Sequence, residues 1–558
     1  MPRSTALSSF LFSAGTMFSR IAGLLRESVV SAVFGAGAAM DAFNVAYRIP
    51  NLLRDMVAEG ALGSAFTKVY SATSTEDPER ARRLLVDTIY LAALVGLVVC
   101  ALGIAFSGPL VDLVTSPGPG RGPDFAKHTT ALTQLLFPVV GILSVAAIVT
   151  GALHQRGQFF LSAMSPVVFN IANIIGALWL SGVFVSNGPD TLVERFGDKA
   201  ILGLAIGVLV GALLQLLLVT GGIWRPLLAG HFRPSKLIPW SPDIAKVVVL
   251  MGPMVIASSA GQINVIVNTN FATSLDTGAV TWLANAFRFL QLPIGLFGVA
   301  IGAAVLPALS AAIARAGRRV DKVASDEIVN AIDLVLWLTL PCLVFLVATN
   351  HAVIDLFYRA GRYTAADSEA TAAALHAYAF GLVAYGLIKV MTSYYYAVDR
   401  TRFAMIVSMV SIGINYAGNS LLAETYGHVG LALTTSITLS LNALLLVIGM
   451  SRDSVQIPWP RVLRSFGILV IAAVVAFGIL HIVKPLGTAV EQLLGGLADG
   501  SRVKATLALK ASALAEIFVH GFAVGAPFIV CAMWRLRAGP RDLISRVKKL
   551  RRRNNTAS

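Results

Sequence analysis

The sequence predicts an all-α polytopic membrane protein with 14 transmembrane helices, and three observations lead to this fold class. Of its 558 residues, 56% are hydrophobic and only 13% are charged, whereas about a quarter of the residues are charged in typical soluble domains. The mean hydropathy is +0.75. Apolar runs of about 20 residues, the length that crosses a bilayer, recur along the whole chain. A soluble protein is therefore excluded.

The apolar runs define the predicted spans. The first run has no small-residue cleavage site, so we interpret it as a retained helix rather than a signal peptide. In chain order the predicted spans are 7–35, 41–71, 84–113, 129–152, 160–185, 201–222, 243–271, 277–310, 328–357, 371–396, 403–422, 428–450, 463–483 and 512–534.

The basic residues predict the orientation of these spans. The chain has 44 Lys and Arg against 29 Asp and Glu, a net charge of +15. If the N-terminus is cytoplasmic, most of the Lys and Arg fall in cytoplasmic loops, as the positive-inside rule requires. Both termini are then cytoplasmic. The basic tail, residues 538–558, suggests nucleic acid or anionic lipid as a partner, but directly after a span it is most simply a topology determinant near anionic headgroups. We predict no nucleic-acid partner.

An internal repeat predicts the domain organisation. The offset between matching residues grows slowly from 240 to 245, which indicates duplication with small loop insertions. It covers six spans, so both copies enter the membrane from the same side, as in the parallel repeats of several transporters. We predict two parallel-repeat six-helix lobes (1–225 and 226–455), two extra C-terminal helices (456–537) and the basic tail. The alternative is growth of a scaffold without transport. The matching pairs are Arg48 and Arg288, Cys100 and Cys342, Asp112 and Asp355, Arg156 and Arg400, and Asn170 and Asn415.

Ionisable residues interrupt a few of the spans, mainly the first two. Each such group at a helix centre costs about 2.5–3.5 kcal/mol on insertion scales, so these residues normally face a bundle interior or a wet cavity. They are Arg20, Arg26 and Glu27 in span 1, Asp41, Arg48, Arg54, Asp55 and Glu59 in span 2, Arg288 in span 8 and Lys389 in span 10.

The depth of three arginines indicates a phosphate-bearing ligand. Arg20, Arg54 and Arg288 lie about 12 to 14 residues into their spans, near the middle of a bilayer. Planar guanidinium groups bind phosphate or pyrophosphate oxygens in bidentate fashion. Salt bridges between the lobes are the alternative interpretation of the same charges.

Opposite charges at helical spacing predict local pairing. Arg20 and Glu27, and Arg48 and Asp55, are seven residues apart, which places each pair on one helix face. The cations of spans 8 and 10 have no acidic residue on their own spans. Their partners are expected on another helix or on a ligand.

Polar residues on spans 11 and 12 form a possible cation site, consisting of Asn415, Asn419 and Thr438. The two asparagines are four residues apart, and Thr434 and Thr435 lie close to Thr438 in the sequence. Oxygen atoms of this kind ligate hard cations. Hydrogen bonds between the helices are the alternative.

Other chemistry is not supported by the sequence. Eight histidines and three cysteines occur without metal-ligating spacing. There is no nucleotide-binding P-loop and no nucleophile elbow. We therefore predict no metal and no cofactor, and energy would come from a coupling ion (Na⁺ or H⁺), from the membrane potential or from consumption of the substrate.

Six segments carry a resemblance to a known family: Met17–Glu27, Phe34–Phe43, Pro50–Ala61, Pro293–Ala300, Leu306–Ser310 and Gly361–Ala365. They resemble the lipid II flippases of bacterial cell-wall synthesis (MurJ or MviN). The resemblance covers essentially the whole chain, and its N-terminal blocks are highly specific.

The resemblance implies a transporter, not an enzyme, of the multidrug/oligosaccharidyl-lipid/polysaccharide exporter superfamily in the bacterial inner membrane. A V-shaped bundle would take the pyrophosphate and sugar-peptide head of lipid II into a central cationic cavity, and spans 13 and 14 would hold the undecaprenyl tail. Membrane lipids and cell-wall synthesis enzymes are the other expected partners. The family's sodium site uses acidic residues that have no clear match here. The predicted substrate-binding residues are Arg20, Arg26, Arg54 and Arg288, and the predicted gating or charge-pairing residues are Glu27 (where the family commonly has Asp), Asp41, Arg48, Asp55, Glu59 and Lys389.

Three alternatives remain at this point. A related transporter could export another polyprenyl-linked glycan or a drug. A membrane enzyme acting on lipid pyrophosphates would also use arginines, but it would need a nucleophile or base near them, and spans 1, 2 and 8 contain no histidine. A scaffold for cell-wall enzymes would not need these arginines.

Overall fold

The computed structural model describes residues 5–116, 118, 124–229, 234–236, 238–315, 322–398, 400–452, 459–496 and 502–536. Within these residues all regular secondary structure is helical. The basic tail, residues 538–558, lies outside the described residues, and its role stays a prediction. The chain divides into two compact units, Met1–Thr281 with Gly361–Tyr363, and Trp282–Ala360 with Thr364–Ser558. These units are defined by packing, whereas the predicted lobes are defined by sequence repetition, and the lobe boundaries stay predictions.

The α-helices are numbered in chain order. The first twelve are α1 (Thr5–Phe34), α2 (Ala38–Leu53), α3 (Gly63–Glu76), α4 (Pro78–Ala105), α5 (Ser107–Val114), α6 (Phe125–Leu136), α7 (Pro138–Gln155), α8 (Phe159–Ile175), α9 (Ser181–Asn187), α10 (Thr191–Phe196), α11 (Lys199–Ile223) and α12 (Pro242–Ser274). The others are α13 (Ala279–Arg315), α14 (Lys322–Phe357), α15 (Ala365–Ala379), α16 (Leu382–Ala397), α17 (Thr401–Arg452), α18 (Trp459–Gly496) and α19 (Arg502–Leu536).

The all-helical membrane class is confirmed. Among the described residues, eight helices are long and apolar enough to cross a membrane, or nine if α15 and α16, which meet at 45°, form one span. One of the eight, Thr401–Ser451, has 51 residues, about 77 Å of helix and more than twice the thickness of a hydrocarbon core. Its backbone leaves the helical region at Gly427 (φ 56°, ψ −137°). This break separates predicted spans 11 and 12. The count of fourteen stays a prediction.

Small residues allow close helix packing in the first unit. Helix α11 packs against α7 and α8, and α8 also packs against α1. Gly203 and Gly207 lie four residues apart on α11, the spacing of small-residue contacts in membrane helices. A Cβ atom on Gly176, which follows α8 directly, would lie 2.6 Å from Gly203 O and 2.7 Å from Gly207 Cα. The backbones therefore touch at this crossing.

Predicted span 2 is not one regular α-helix. Residues Arg54–Leu62 form a π-helical segment between α2 and α3, and α2 contains Pro50 four residues before it. Proline removes a helical hydrogen bond and its ring crowds the preceding turn. Single-turn π segments are rare and occur frequently at functional sites. The segment carries three charged residues of the predicted site: Arg54, Asp55 and Glu59.

A buried carboxylate fixes α2 to the turn that begins α13. Asp41 is 0% exposed and accepts hydrogen bonds from Gly278 N (2.8 Å), Thr281 N (3.0 Å) and Thr281 Oγ1 (2.7 Å). The amide of Asn44, one turn further along α2, donates to the same Thr281 hydroxyl at 3.0 Å. Backbone N–H groups at a helix start need acceptors, and negative charge is favourable there. Asp41 therefore acts as a helix cap supplied by another helix.

The second unit is organised around α14, which contacts α15, α16, α18 and α19. Its buried interior includes Tyr358, Tyr394 and Tyr395. The Tyr395 hydroxyl donates to Leu446 O at 2.8 Å, which ties α16 to the second half of α17. Helices α18 and α19 contact each other extensively and expose large apolar side chains such as Ile482, Phe518 and Phe522.

We predict that Gly176→Ala destabilises the protein. The added Cβ would meet backbone atoms of α11 that cannot move aside independently, and overpacking of this kind costs about 1–3 kcal/mol. The thermal unfolding midpoint of the purified protein should fall. Gly182→Ala is the matched control, because no atom lies within 4 Å of its Cβ position. Equal midpoints for both variants would contradict the close crossing.

We also predict that Asp41→Ala reduces the amount of folded protein in the membrane and lowers its unfolding midpoint. The change leaves two backbone N–H groups and one hydroxyl without their acceptor, and an unsatisfied buried group costs about 1–3 kcal/mol. Asp112, an exposed residue of α5, supplies the control Asp112→Ala, which should leave both measurements unchanged. An Asp41→Ala protein as stable as the wild type would refute the capping role.

Candidate substrate-binding site

The first part of the candidate site lies on α1. Arg26 and Glu27 form an ion pair, with side chains 18% and 8% exposed. The Arg26 guanidinium also lies over the Phe169 ring of α8, 6.0 Å from its centroid. Arg20 is half-buried, and it makes no hydrogen bond or ion pair within the described part of the chain. One arginine of α1 is thus held by an acid and an aromatic ring, while the other has no partner within the described residues.

The second part lies at the start of the π-helical segment. Arg54 donates to Asp55 Oδ1 from Nε (3.2 Å) and from Nη2 (2.8 Å). The Asn51 amide reaches Asp55 Oδ2 at 3.4 Å. The Arg54 and Asp55 side chains are 18% and 35% exposed. Arg54 is therefore largely covered, and the carboxylate beside it is the more accessible member of the pair.

The ion pairs differ from those predicted at seven-residue spacing. The predicted pair of Arg20 with Glu27 does not form, because the Glu27 carboxylate lies against the neighbouring Arg26. Arg48 donates to Thr269 Oγ1 of α12 at 2.5 Å. Arginine has a long and flexible stem, so its charged group reaches an adjacent carboxylate although consecutive residues do not normally face each other on a helix.

The other predicted residues have different surroundings. Asp41 is the buried cap of the turn before α13, a role that the sequence did not indicate. Glu59 lies in the π-helical segment, but its side chain is outside the described residues. Arg288 is half-buried on α13 of the second unit. Lys389 is exposed on α16, and its ammonium lies 5.6 Å from the Tyr385 ring centroid on the same helix.

The predicted cation site is a buried polar cluster within α17. Asn415 and Asn419 lie before Gly427, and Thr434 and Thr438 lie after it. All four are at most 3% exposed. Asn419 Nδ2 donates to Asn415 Oδ1 at 3.1 Å. Within the described residues the hydroxyls of Thr434 and Thr438 have no hydrogen-bond partner. Buried oxygens without partners are unusual, and they are the kind of ligand that a hard cation takes.

Sequence reasoning missed the partners that fix these charges. Phe169, Thr269 and Thr281 contact Arg26, Arg48 and Asp41, and each partner lies more than 140 residues away in the chain. No local pattern marks a threonine or a phenylalanine for such a contact. The positions of the charged residues could be predicted, but not the residues that hold them.

The first unit therefore carries cationic groups that suit phosphate oxygens. Three arginines lie on α1 and the π-helical segment. Two of them are partly neutralised by acids next to them in sequence, so the charge available to a ligand depends on whether those acids stay paired. The planar guanidinium group of arginine binds phosphate oxygens in bidentate fashion, whereas the ammonium group of lysine acts as a point charge.

Comparison with known proteins identifies the family of this chain. The family model described as lipid II flippase MurJ matches residues 30–495. A Burkholderia cenocepacia protein named lipid II flippase MurJ is 32% identical over 480 residues, which cover 84% of this chain and 87% of that protein. A probable lipid II flippase MurJ of Vibrio cholerae is 31% identical and covers 80% of this chain and 83% of its own.

Two solved structures show the same fold. Lipid II flippase MurJ in an inward closed conformation superposes with a TM-score of 0.70 at 24% identity, covering 95% of this chain and 99% of that one. An inward-facing transporter of the multidrug resistance MATE family in the MOP superfamily gives a TM-score of 0.61 at 16% identity, covering 80% of this chain and 98% of that one. From the family match and the identity to its relatives, we conclude that this chain belongs to the MurJ family of lipid II flippases.

Proposed function

We propose that this chain is a transporter that flips lipid II, an undecaprenyl-pyrophosphate disaccharide-peptide, from the cytoplasmic to the outer leaflet by alternating access. Membership of the MurJ family supports the substrate. The arginines on otherwise apolar helices are the observation that identifies the residues proposed to bind it. Arginine within a membrane span is costly, so its presence there marks a candidate functional site.

The pyrophosphate would bind by exchange of partners. In the described structure Arg26 and Arg54 are held by Glu27 and Asp55, whereas Arg20 is not paired with a described residue. An arriving pyrophosphate would meet Arg20 first and then replace the two carboxylates. When it leaves, the carboxylates neutralise the arginines again. This exchange keeps the empty site from holding three uncompensated charges, and it favours release as well as binding.

The second unit carries two further cations of the predicted site. Arg288 on α13 is the fourth predicted substrate ligand. Lys389 is exposed and attached only loosely to Tyr385, so it is free to follow an anionic head. The apolar surfaces of α18 and α19 would lie against the undecaprenyl tail, since van der Waals packing holds apolar groups together inside a bilayer.

The protein would lie in the bacterial inner membrane with both termini in the cytoplasm. The distribution of Lys and Arg between alternate loops supports this orientation. It would place the start of α4, where Arg80 pairs with Asp243 of α12 at 2.7 Å, at the cytoplasmic surface.

Sodium would be the coupling ion, bound by the polar cluster of α17. The supporting observation is the pair of buried threonine hydroxyls without partners. A cation between the asparagine and threonine oxygens would satisfy them. Its binding would also join the two halves of α17 across Gly427, which offers a way to bias a conformational equilibrium.

Replacing the arginines tests the proposed substrate site. We expect Arg20→Ala, Arg26→Ala, Arg54→Ala and Arg288→Ala together to abolish growth of a flippase-depleted strain, because the pyrophosphate loses its bidentate partners. The protein should still accumulate in the membrane. Arg83→Ala, at an exposed arginine of α4, is the control and should support growth. Full growth with all four arginines removed would contradict the proposal.

The cation site can be tested by stability. A buried hydroxyl without a hydrogen-bond partner destabilises the folded protein by about 1–3 kcal/mol. Thr438→Val removes such a hydroxyl. We expect the variant to be at least as stable as the wild type without sodium, and to lose the sodium-dependent rise in unfolding midpoint. Thr438→Ser keeps the oxygen and should keep the rise. If sodium stabilises Thr438→Val as much as the wild type, the ion does not bind there.

A further inference from the structure

The first unit contains a polar cavity that the arginines do not line. Its volume is about 710 Å³, within the range of small-molecule sites. Four helices contribute to it: α3, α7, α8 and α11. Its polar lining includes Ser64, Thr67, Ser71, Thr150, His154 and Gln215. The polar groups of this lining need either water or a polar ligand as hydrogen-bond partners.

Several hydroxyls of the lining present acceptors to the cavity. Three of these hydroxyls donate to backbone carbonyls: Thr67 Oγ1 to Gly63 O (2.7 Å), Ser162 Oγ to Phe159 O (2.8 Å) and Ser165 Oγ to Ser162 O (3.0 Å). Their lone pairs remain to accept hydrogen bonds. Because the Ser162 proton is used in this way, His154 Nε2, 2.9 Å away, is the donor of their contact.

Other groups in the lining keep their full hydrogen-bonding capacity. The side chains of Ser64, Thr150 and Gln215 make no hydrogen bond with any described residue. Gln215 offers both a donor and an acceptor, and the hydroxyls can do the same. Among the described lining residues, Lys68 is the one Lys, Arg, Asp or Glu, and it is exposed. This chemistry suits hydroxyl and amide groups, and it is poorly suited to a pyrophosphate.

The cavity lies next in the chain to the proposed pyrophosphate site. Ser64 follows Arg54 by ten residues, about 15 Å of helix, and the π-helical segment lies between them. A ligand with its pyrophosphate at Arg54 would have to extend along this segment to reach α3. In lipid II the group attached to the pyrophosphate is an amide-bearing sugar, which has both hydroxyls and an N–H.

We propose that this cavity binds the disaccharide of the polyprenyl-pyrophosphate substrate, an assignment that rests on the proposed function. The sugar hydroxyls donate to Thr67 and Ser165, and Thr150 and Gln215 complete the contacts. The arginines then recognise the phosphates and the cavity recognises the sugar. With these two sets of contacts the protein distinguishes lipid II from undecaprenyl pyrophosphate, which has the same pyrophosphate and tail but no sugar.

Thr150→Val with Gln215→Leu tests this assignment, because the double variant removes two polar groups with little change in volume. Binding of three probes to purified protein would be measured: lipid II, its disaccharide-only form without the peptide, and undecaprenyl pyrophosphate. We expect affinity for the two sugar-bearing lipids to fall about tenfold, the loss expected for two hydrogen bonds. Affinity for undecaprenyl pyrophosphate should change less than twofold. Thr150→Ser and Thr220→Val, the latter on α11 outside the lining, should bind like the wild type.

The possible outcomes separate the two proposals. If the double variant binds all three probes like the wild type, the space is a hydrated cavity only. An equal loss of affinity for all three probes would also overturn the sugar assignment while leaving lipid II as the substrate. A loss of affinity for lipid II but not for its disaccharide-only form would do the same. If the wild type binds none of the three, the proposed function fails, and the cavity assignment fails with it.

Discussion

The cost of charge in an apolar helix bundle is the constraint on which this structure depends. The chain keeps arginines on helices that are otherwise suited to a bilayer, and each guanidinium must have a partner or a wet surface. In the first unit two of the arginines pair with carboxylates adjacent in sequence, Arg26 with Glu27 and Arg54 with Asp55. Adjacent acids travel with their arginines when a helix moves, so the pairs can persist through a conformational change that would break contacts between helices.

The surrounding structure fixes the helices that carry these charges. Helix α1 is seated on α8, where Phe169 covers Arg26. Helix α2 is held at one end by the Asp41 carboxylate and further along by the Arg48 contact with Thr269. The π-helical segment then changes the helix geometry at Arg54. A rigidly attached helix before the site and an irregular helix within it suit the proposed exchange of partners by Arg26 and Arg54.

Much of the fold could be predicted from the sequence, because composition and the length of apolar runs determine that helices must cross a membrane. The charged residues could also be located, since an arginine within an apolar run is conspicuous. Their partners could not. Arg20 and Glu27 share a helix face, yet Glu27 pairs with Arg26, because Arg20 lies almost two helical turns away, about 10 Å along the axis. The contacts of Asp41 with Gly278 and Thr281 depend on tertiary packing, and nothing near position 41 encodes them. The polar cavity of α3, α7, α8 and α11 could not be predicted for a similar reason, since its serines and threonines lie at scattered positions and come together only when four helices pack.

The central claim is that this protein moves lipid II between leaflets. It is tested most directly by measuring which fraction of lipid II is accessible on the outer leaflet of cells, with the protein present, with it depleted, and with the membrane potential collapsed. The account predicts that depletion makes lipid II inaccessible from outside while its total amount is maintained or rises, and that the wild-type protein restores accessibility where the four-arginine variant does not. Outer-leaflet lipid II that stays unchanged after depletion, in a strain with no other flippase, would contradict the account.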